Sequence, residues 1–365
     1  MTTQVVPALE SGRVTGGRDR LAGLDLVRLL AVVLVAYTEL AVVFRAAGHP
    51  LGASSLVDAY LVTPLRANPD LEFFGAALIF LVTGFLAARA AARQPLGEFA
   101  ARRALRVFPP LWVTVLLCYG LVALGQPALP DADSATTGDL LKGLVLANYF
   151  TEPSVTLVAA AWALVPIVAV YVMVTALVPV LRTMPWLVVA IQITVCSVLL
   201  SIMPTLSSPA AAGGGAIGAY GTAVVLGEVI WLVWSGHVPL WAGGALGVAC
   251  WIVFAWAGRL GYHGSAPAYP LTLAYAFLLV LVAVQISDWV GEARVVAYLA
   301  SRSYGFLLTH QAVMAVVLAP LVGHVFSLVA VLAAVAATLV AGELVHQVAE
   351  RPAAWVAARL RGGAS

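Results

Sequence analysis

Apolar runs long enough to cross a membrane recur along the whole of this chain, and nothing else constrains its fold as strongly. About twenty apolar residues in a helix span a hydrocarbon layer of ~30 Å. Inside lipid only helices and closed barrels satisfy every backbone polar group. Of the 365 residues, 62% are hydrophobic and 10% charged, where a soluble domain has ~45–50% and ~25%. The reading is an all-α, polytopic membrane protein built as one helical bundle. Ten transmembrane helices are expected, over residues 24–44, 71–92, 107–125, 155–181, 186–203, 216–235, 238–257, 269–288, 303–322 and 324–346. They make a domain of 24–347, between cytoplasmic tails of 1–23 and 348–365. The first apolar run exceeds the ~7–15 residues of a signal-peptide core, so no cleavage is expected.

Basic residues orient the bundle. Placing the N-terminus inside puts 15 of the 19 basic residues on the inner side, leaving Arg45, Arg66, Lys142 and Arg259 outside. The positive-inside rule then puts both termini in the cytoplasm. The net charge of +2 gives no argument for nucleic acid. Cys118, Cys196 and Cys250 sit in or beside apolar runs and have neither disulfide nor metal-site spacing. Residues 139–150 are too short to span and read as a re-entrant or interfacial helix. The glycine-rich stretch 210–221 reads as a flexible connection, without the Gly-Lys-Ser/Thr of a phosphate loop.

Two local features stand out. Glu39 is an acid inside the first span, eleven residues after Arg28 and thus ~16 Å further along a helix. An intramembrane charge is costly and marks function unless it serves only as a neutral packing group. Arg102, Arg103 and Arg106 lie at helical three-and-four spacing before Pro109 and Pro110, which read as a kink or re-entry. The cluster either anchors acidic lipid headgroups or binds a phosphorylated cytosolic ligand, because guanidinium forks pair with phosphate.

The motifs that follow resemble the acyltransferase-3 family of bacterial integral membrane O-acyltransferases, in family order and over nearly the whole chain. Leu24-Asp25 with Arg28 is similar to the opening of the family's first helix. Phe80 to Leu86 (FLVTGFL), Phe99 to Pro109 (FAARRALRVFP) and the ends of the segment Trp162 to Tyr171 follow. Ser303-Tyr304 to His310-Gln311 and the closing Glu350-Arg351-Pro352 complete the series. The resemblance implies transfer of an acyl group, chiefly acetyl, from cytosolic acyl-CoA to a hydroxyl of a glycan, glycolipid or small molecule. It implies a multi-pass protein of the bacterial inner membrane, in contact with membrane lipid. Acyl-CoA would be a co-substrate rather than a permanently bound cofactor. The Arg102, Arg103 and Arg106 cluster then gains the CoA phosphates as its ligand. Trp162, Tyr171, Ser303 and Tyr304 become expected substrate-binding residues.

The chain also departs from the family pattern. Glu39 stands where the family has a histidine regarded as catalytic, WALVPIVAVY lacks the family's glutamate, and Ala77 stands where the family has aspartate. Acyl transfer to an alcohol needs a base at the hydroxyl, and a carboxylate takes that role where its surroundings bring its proton affinity toward neutrality. The expected catalytic residues are Glu39, Arg28 and His310. His310 reads equally as a packing residue, and Trp162 as a sugar-stacking or belt tryptophan. Glu343 and His346 share a helical face and read as a proton-sharing pair or as interfacial residues. Glu228 is a further intramembrane acid without an evident partner. No metal site is expected. The alternative function is a catalytically degenerate carrier or scaffold in envelope or polysaccharide assembly. An ion-coupled transporter fits less well, since no inverted repeat is evident. The sequence leaves the oligomeric state open.

Overall fold

The computed structural model describes residues 21–69, 71–126, 135–152, 155–263, 268–286 and 294–362. The stretch 1–20 with Arg13, Arg18 and Arg20, residues 127–134, and Trp289 lie outside the described residues. Among the described residues the secondary structure is helical throughout, with no strand.

The long helices are α1 (Ala22–Ala46), α4 (Leu71–Arg93), α5 (Leu96–Ala123), α7 (Leu164–Thr183), α8 (Pro185–Ile202), α9 (Ala210–Trp234), α10 (Leu240–Arg259), α11 (Ala268–Gln285), α12 (Arg294–Leu318) and α13 (Ser327–Val345). Short helices are α2 (Gly52–Val57), α3 (Thr63–Leu65), α6 (Thr137–Leu144) and α14 (Arg351–Gly362). A π-helical turn at Asp58–Val62 joins α2 to α3, and another at His346–Glu350 joins α13 to α14.

Nine helices among the described residues are long and apolar enough to cross a membrane. The chain is a multi-pass membrane protein. The expected span 303–322 falls on α12, whose 25 residues reach ~37 Å but carry Arg302, His310 and Gln311 and so dilute its apolar character. Residues 351–362 continue the last long helix as α14, which packs against α5.

Helices α4 and α9 form the centre of the bundle and are its most buried spans. Small residues let their backbones meet, as membrane helix packing requires. A Cβ on Gly84 would sit 1.8 Å from the Val224 carbonyl oxygen, and one on Gly227 would sit 2.1 Å from that of Leu81. To one side, α1, α12 and α13 enclose a second apolar cluster around Phe44, Phe306 and Met314.

Three sequence expectations change. Residues 210–221 are not a flexible connection but the first half of α9. Their glycines accept bulky neighbours, with Gly213 against Phe150, Gly214 against Met203 and Gly215 against Tyr262. Of the two readings of Pro109 and Pro110, a kink or a re-entry, re-entry falls away, since α5 runs through them from Leu96 to Ala123. The arginine cluster thus sits on the first part of one long helix. Glu343 and His346 do not pair with each other, since Glu343 meets Arg302 and His346 meets Glu350. The 139–150 segment is helical only to Leu144, held by a capping box between Thr136 and Asp139, and it ends in a 3-10 turn at Ala147–Tyr149.

Candidate functional site

A cavity of about 1020 Å³ opens where α4 ends and α5 begins, at the same end of the bundle as the start of α1 and α12 and the π turn before α14. Eight arginines line it, Arg28, Arg89, Arg102, Arg103, Arg106, Arg294, Arg302 and Arg351, against the carboxylates of Asp25 and Glu350. Three of the eight are neutralised locally. Arg28 pairs with Asp25 at 3.2 Å, Arg102 with Glu98 at 2.5 Å and Arg302 with Glu343 at 2.8 Å. Arg103, Arg106, Arg294 and Arg351 form no ion pair among the described residues. The cavity thus holds a surplus of cationic forks, suited to phosphate oxygens.

Arg103, half-buried, is held by its surroundings. Arg103 donates through Nη2 to the Leu86 carbonyl at 3.0 Å and lies over the rings of Phe99 and Tyr171, 5.3 and 5.2 Å from their centroids. Its buried Nε has no partner. Arg106, one turn on, is exposed and faces the same cavity. Arg102, Arg103 and Arg106 are brought together with Arg28, as their joint place in the cavity lining shows.

The cavity continues inward as a slot of about 80 Å³ that shares Arg28, Leu86, Arg103, Arg106 and Tyr304 with it. Tyr171, Ser303, Tyr304 and Thr83 line this slot. The Tyr304 hydroxyl donates to the Val107 carbonyl at 3.0 Å, tying α12 to α5, and the Ser303 hydroxyl donates back to Ala300 at 2.8 Å.

Trp162 belongs elsewhere. Its indole donates to Glu72 Oε1 at 3.3 Å, and its ring packs on Tyr220 at 4.9 Å and edge-on to Phe80 at 5.8 Å. It therefore joins an aromatic cluster at the far end of α7 and lines neither the cavity nor the slot. Trp186 and Trp241 are exposed at helix ends, as belt tryptophans should be.

Glu39 and His310 also lie outside the linings of cavity and slot. Glu39 Oε2 accepts from Gln311 Nε2 at 3.1 Å, linking α1 to α12, while Gln311 Oε1 is buried without a partner. On α1, Arg28, Val32, Val35 and Glu39 fall on one face by their spacing. Val32 lines the slot, so Glu39 lies two turns beyond it. On α12, Tyr304, Leu307 and Gln311 repeat the pattern. His310 is 1% exposed, with Nδ1 engaged by the Leu307 carbonyl at 2.6 Å and its ring parallel to that of Phe306.

Sequence reasoning missed several residues in and around the cavity. Glu343 pairs with Arg302 and accepts from Tyr298, whereas His346 Nδ1 meets Glu350 Oε2 at 2.6 Å. Positions 346 and 350 bracket the π turn, so both residues face the cavity. Arg294 and Arg302 were visible only as inner-side positive charge, and Arg351 only as that and as part of the closing motif. Glu228 does have a partner: it is fully buried and accepts from Gln192 Nε2 at 3.2 Å. Among the described residues no three His, Cys, Asp or Glu side chains gather as metal ligands.

The family model of an acyltransferase domain matches residues 21–344. No curated protein and no solved structure matches the chain.

Proposed function

Since the chain belongs to the acyltransferase-3 family, and is by that family a membrane acyltransferase, we propose that it moves an acyl group, acetyl above all, from cytosolic acyl-CoA to a hydroxyl. The acceptor class is a glycan, a glycolipid or a small molecule. The observation that supports the donor is the cavity lined by eight arginines. The pyrophosphate and phosphomonoester of CoA are ligands for such forks, and a phosphomonoester alone carries about two negative charges.

In this reading α12 also crosses the membrane, as the ninth of ten spans, both termini are cytoplasmic, and the membrane is the bacterial inner membrane. The arginine cavity then opens to the cytosol, where acyl-CoA is made. The thioester enters the slot past Tyr171, Ser303 and Tyr304. Arg28 orients it from the cavity side.

Glu39 is the proton acceptor of the proposal, and Gln311 holds its carboxylate. The acceptor hydroxyl gives its proton to Glu39 as its oxygen bonds to the thioester carbon. The carbon–sulfur bond breaks, the CoA thiolate takes a proton from solvent, and Glu39 gives up to solvent the proton it received. Val35 and Ala36 lie along α1 between the slot and Glu39, so the seam between α1 and α12 has to open for the two to meet. His310, closed in and engaged by Leu307, has a packing role.

The test is lipid and glycan mass spectrometry of a deletion strain, complemented by the wild-type chain or by Glu39→Gln. An acyl mass that disappears on deletion, returns with wild type and does not return with Glu39→Gln supports the proposal. An unchanged acylation profile after deletion sinks it in favour of a carrier or scaffold.

A further inference from the structure

A further space opens on the lipid side of the slot. Between α5 and α7 runs a groove of about 360 Å³, set between Ala100, Ala104 and Phe108 on one helix and Val168, Val172 and Ala176 on the other. Each set repeats every four residues, so each is a stripe along one helix face. Alanines on both stripes leave the gap that longer side chains would close. Thr175 also lines it, but its hydroxyl donates back to the Tyr171 carbonyl at 2.7 Å. Both helices are long and apolar enough to cross the membrane, and the lips Ala104, Val172 and Ala176 are exposed. On spanning helices such apolar exposure meets hydrocarbon.

Groove and slot stand back to back. Arg103, Val107 and Tyr171 line both, and Arg103 lines the arginine cavity as well. The groove lies in the half of the bundle near that cavity. Ala100 is four residues, ~6 Å, from the start of α5, and Ala176 is seven residues, ~10 Å, from the end of α7. That end of α7 sits on the end of α4, where Arg182 donates to the Ala91 and Gln94 carbonyls. Arg103 is the one charged side chain of the groove lining. Its Nε is a buried donor without a partner, and a phosphate oxygen would satisfy it.

We infer that this groove admits the acceptor from the bilayer, as a lipid of the leaflet on the cavity side with a phosphate and a free hydroxyl in its head. Its chain lies between α5 and α7 toward Phe108 and Val168, and its phosphate meets Arg103. The hydroxyl passes Tyr171 into the slot, where the thioester lies. Of the acceptor classes above, this selects a lipid-borne one, since a water-soluble glycan gains nothing from an apolar groove open to hydrocarbon. The inference rests on the acyl-transfer reading of cavity and slot, and adds the acceptor's chemistry and its route.

The test has two arms. In the first, purified full-length protein is placed in phosphatidylethanolamine vesicles with one of two probes carrying a diazirine in the chain. Phosphatidylglycerol has the phosphate and free hydroxyls, and diacylglycerol lacks the phosphate. Cross-links from phosphatidylglycerol are expected to concentrate on the groove peptides of α5 and α7, several-fold above the exposed face of α13 at Leu339 and Leu344. Diacylglycerol is expected to label the groove several-fold less. The second arm gives radiolabelled acetyl-CoA to membranes of a deletion strain that carries the wild-type or a variant chain. Wild type is expected to put label into the lipid extract. Ala104→Phe with Ala176→Phe fills the groove from its exposed lips, and should cut that label at least about tenfold while acetyl-CoA binding stays within about twofold. Cross-links spread evenly over the lipid-facing helices, as for annular lipid, overturn the groove as a site. Equal yields from the two probes overturn recognition of the phosphate. Label in water-soluble products only, or undiminished lipid label in the filled variant, overturns the acceptor's route. Wild type that binds no acetyl-CoA overturns the donor reading and the acceptor role with it, while the cross-linking arm still judges the groove.

Discussion

Gln311 Nε2 donates to Glu39 Oε2 at 3.1 Å across the contact between α12 and α1. The bond joins an acid inside the first span to a carboxamide 272 positions later. It also leaves Gln311 Oε1 buried with nothing to accept from. A half-satisfied amide beside an intramembrane carboxyl is expensive to keep for packing alone. Glu39→Gln should therefore abolish acyl transfer while leaving acyl-CoA binding within about twofold of wild type, because the bulk of the side chain is preserved. Parallel binding and transfer assays check this. Loss of both together would show that Glu39 serves the fold.

The arginine cavity should show a graded response. Arg106→Gln removes a fork that no carboxylate neutralises, so acyl-CoA affinity should fall about ten- to a hundredfold, as expected for a charge-assisted hydrogen bond worth ~1.5–3 kcal/mol. Arg102→Gln should cost less, since its guanidinium is already engaged by Glu98 at 2.5 Å. Equilibrium binding of acetyl-CoA at two ionic strengths checks the order, and equal losses at both positions would contradict it.

Much of this was legible in the sequence, and the part that was not has physical causes. Helix content, the long apolar spans and the arginine cluster follow from hydropathy and charge, which act locally along the chain. The glycine-rich start of α9 misread as a loop because glycine in water breaks helices, whereas in a membrane bundle Gly213 and Gly215 admit Phe150 and Tyr262. Glu343 and His346 do not pair because Arg302 and Tyr298, brought in by the packing of α12 on α13, take the Glu343 carboxylate, while His346 meets Glu350 at ordinary i,i+4 spacing; a partner from another helix leaves no local signature in the sequence. Gln311 stood beside His310 in a family motif, and only the packing of α12 on α1 reveals that the amide, not the imidazole, meets Glu39.

The crossing of α4 and α9 should be intolerant of side chains. Gly84→Val and Gly227→Val place carbon where Val224 and Leu81 carbonyl oxygens stand. Both should lower the midpoint of thermal unfolding in detergent by several degrees or abolish folded yield, whereas Gly120→Ala, which meets nothing within 4 Å, should leave the midpoint unchanged. Unaltered unfolding of Gly84→Val would mean that the two helices do not cross this closely.

The capping box of α6 should make that helix acid-sensitive. The Thr136 side chain and backbone hold the Asp139 carboxyl below the usual carboxylate range. A depressed folded-state value stabilises the helix above the ordinary aspartate value, ~3.9, and that contribution is lost as pH falls through the folded value. Amide exchange in α6 should speed up on acidification toward pH ~3, corrected for intrinsic rates. Thr136→Ala should speed it at neutral pH, at a cost of about 1 kcal/mol. Exchange indifferent to both changes would remove the box from the account.

The central claim is that the arginine cavity holds an acyl donor by its phosphates. The most direct measurement is equilibrium binding of radiolabelled acetyl-CoA to the purified full-length chain, with and without the paired substitution Arg103→Gln and Arg106→Gln. The account predicts saturable, salt-sensitive binding that the paired substitution abolishes in protein that remains folded. No saturable binding to wild type, or binding that survives the loss of both guanidiniums, would contradict it.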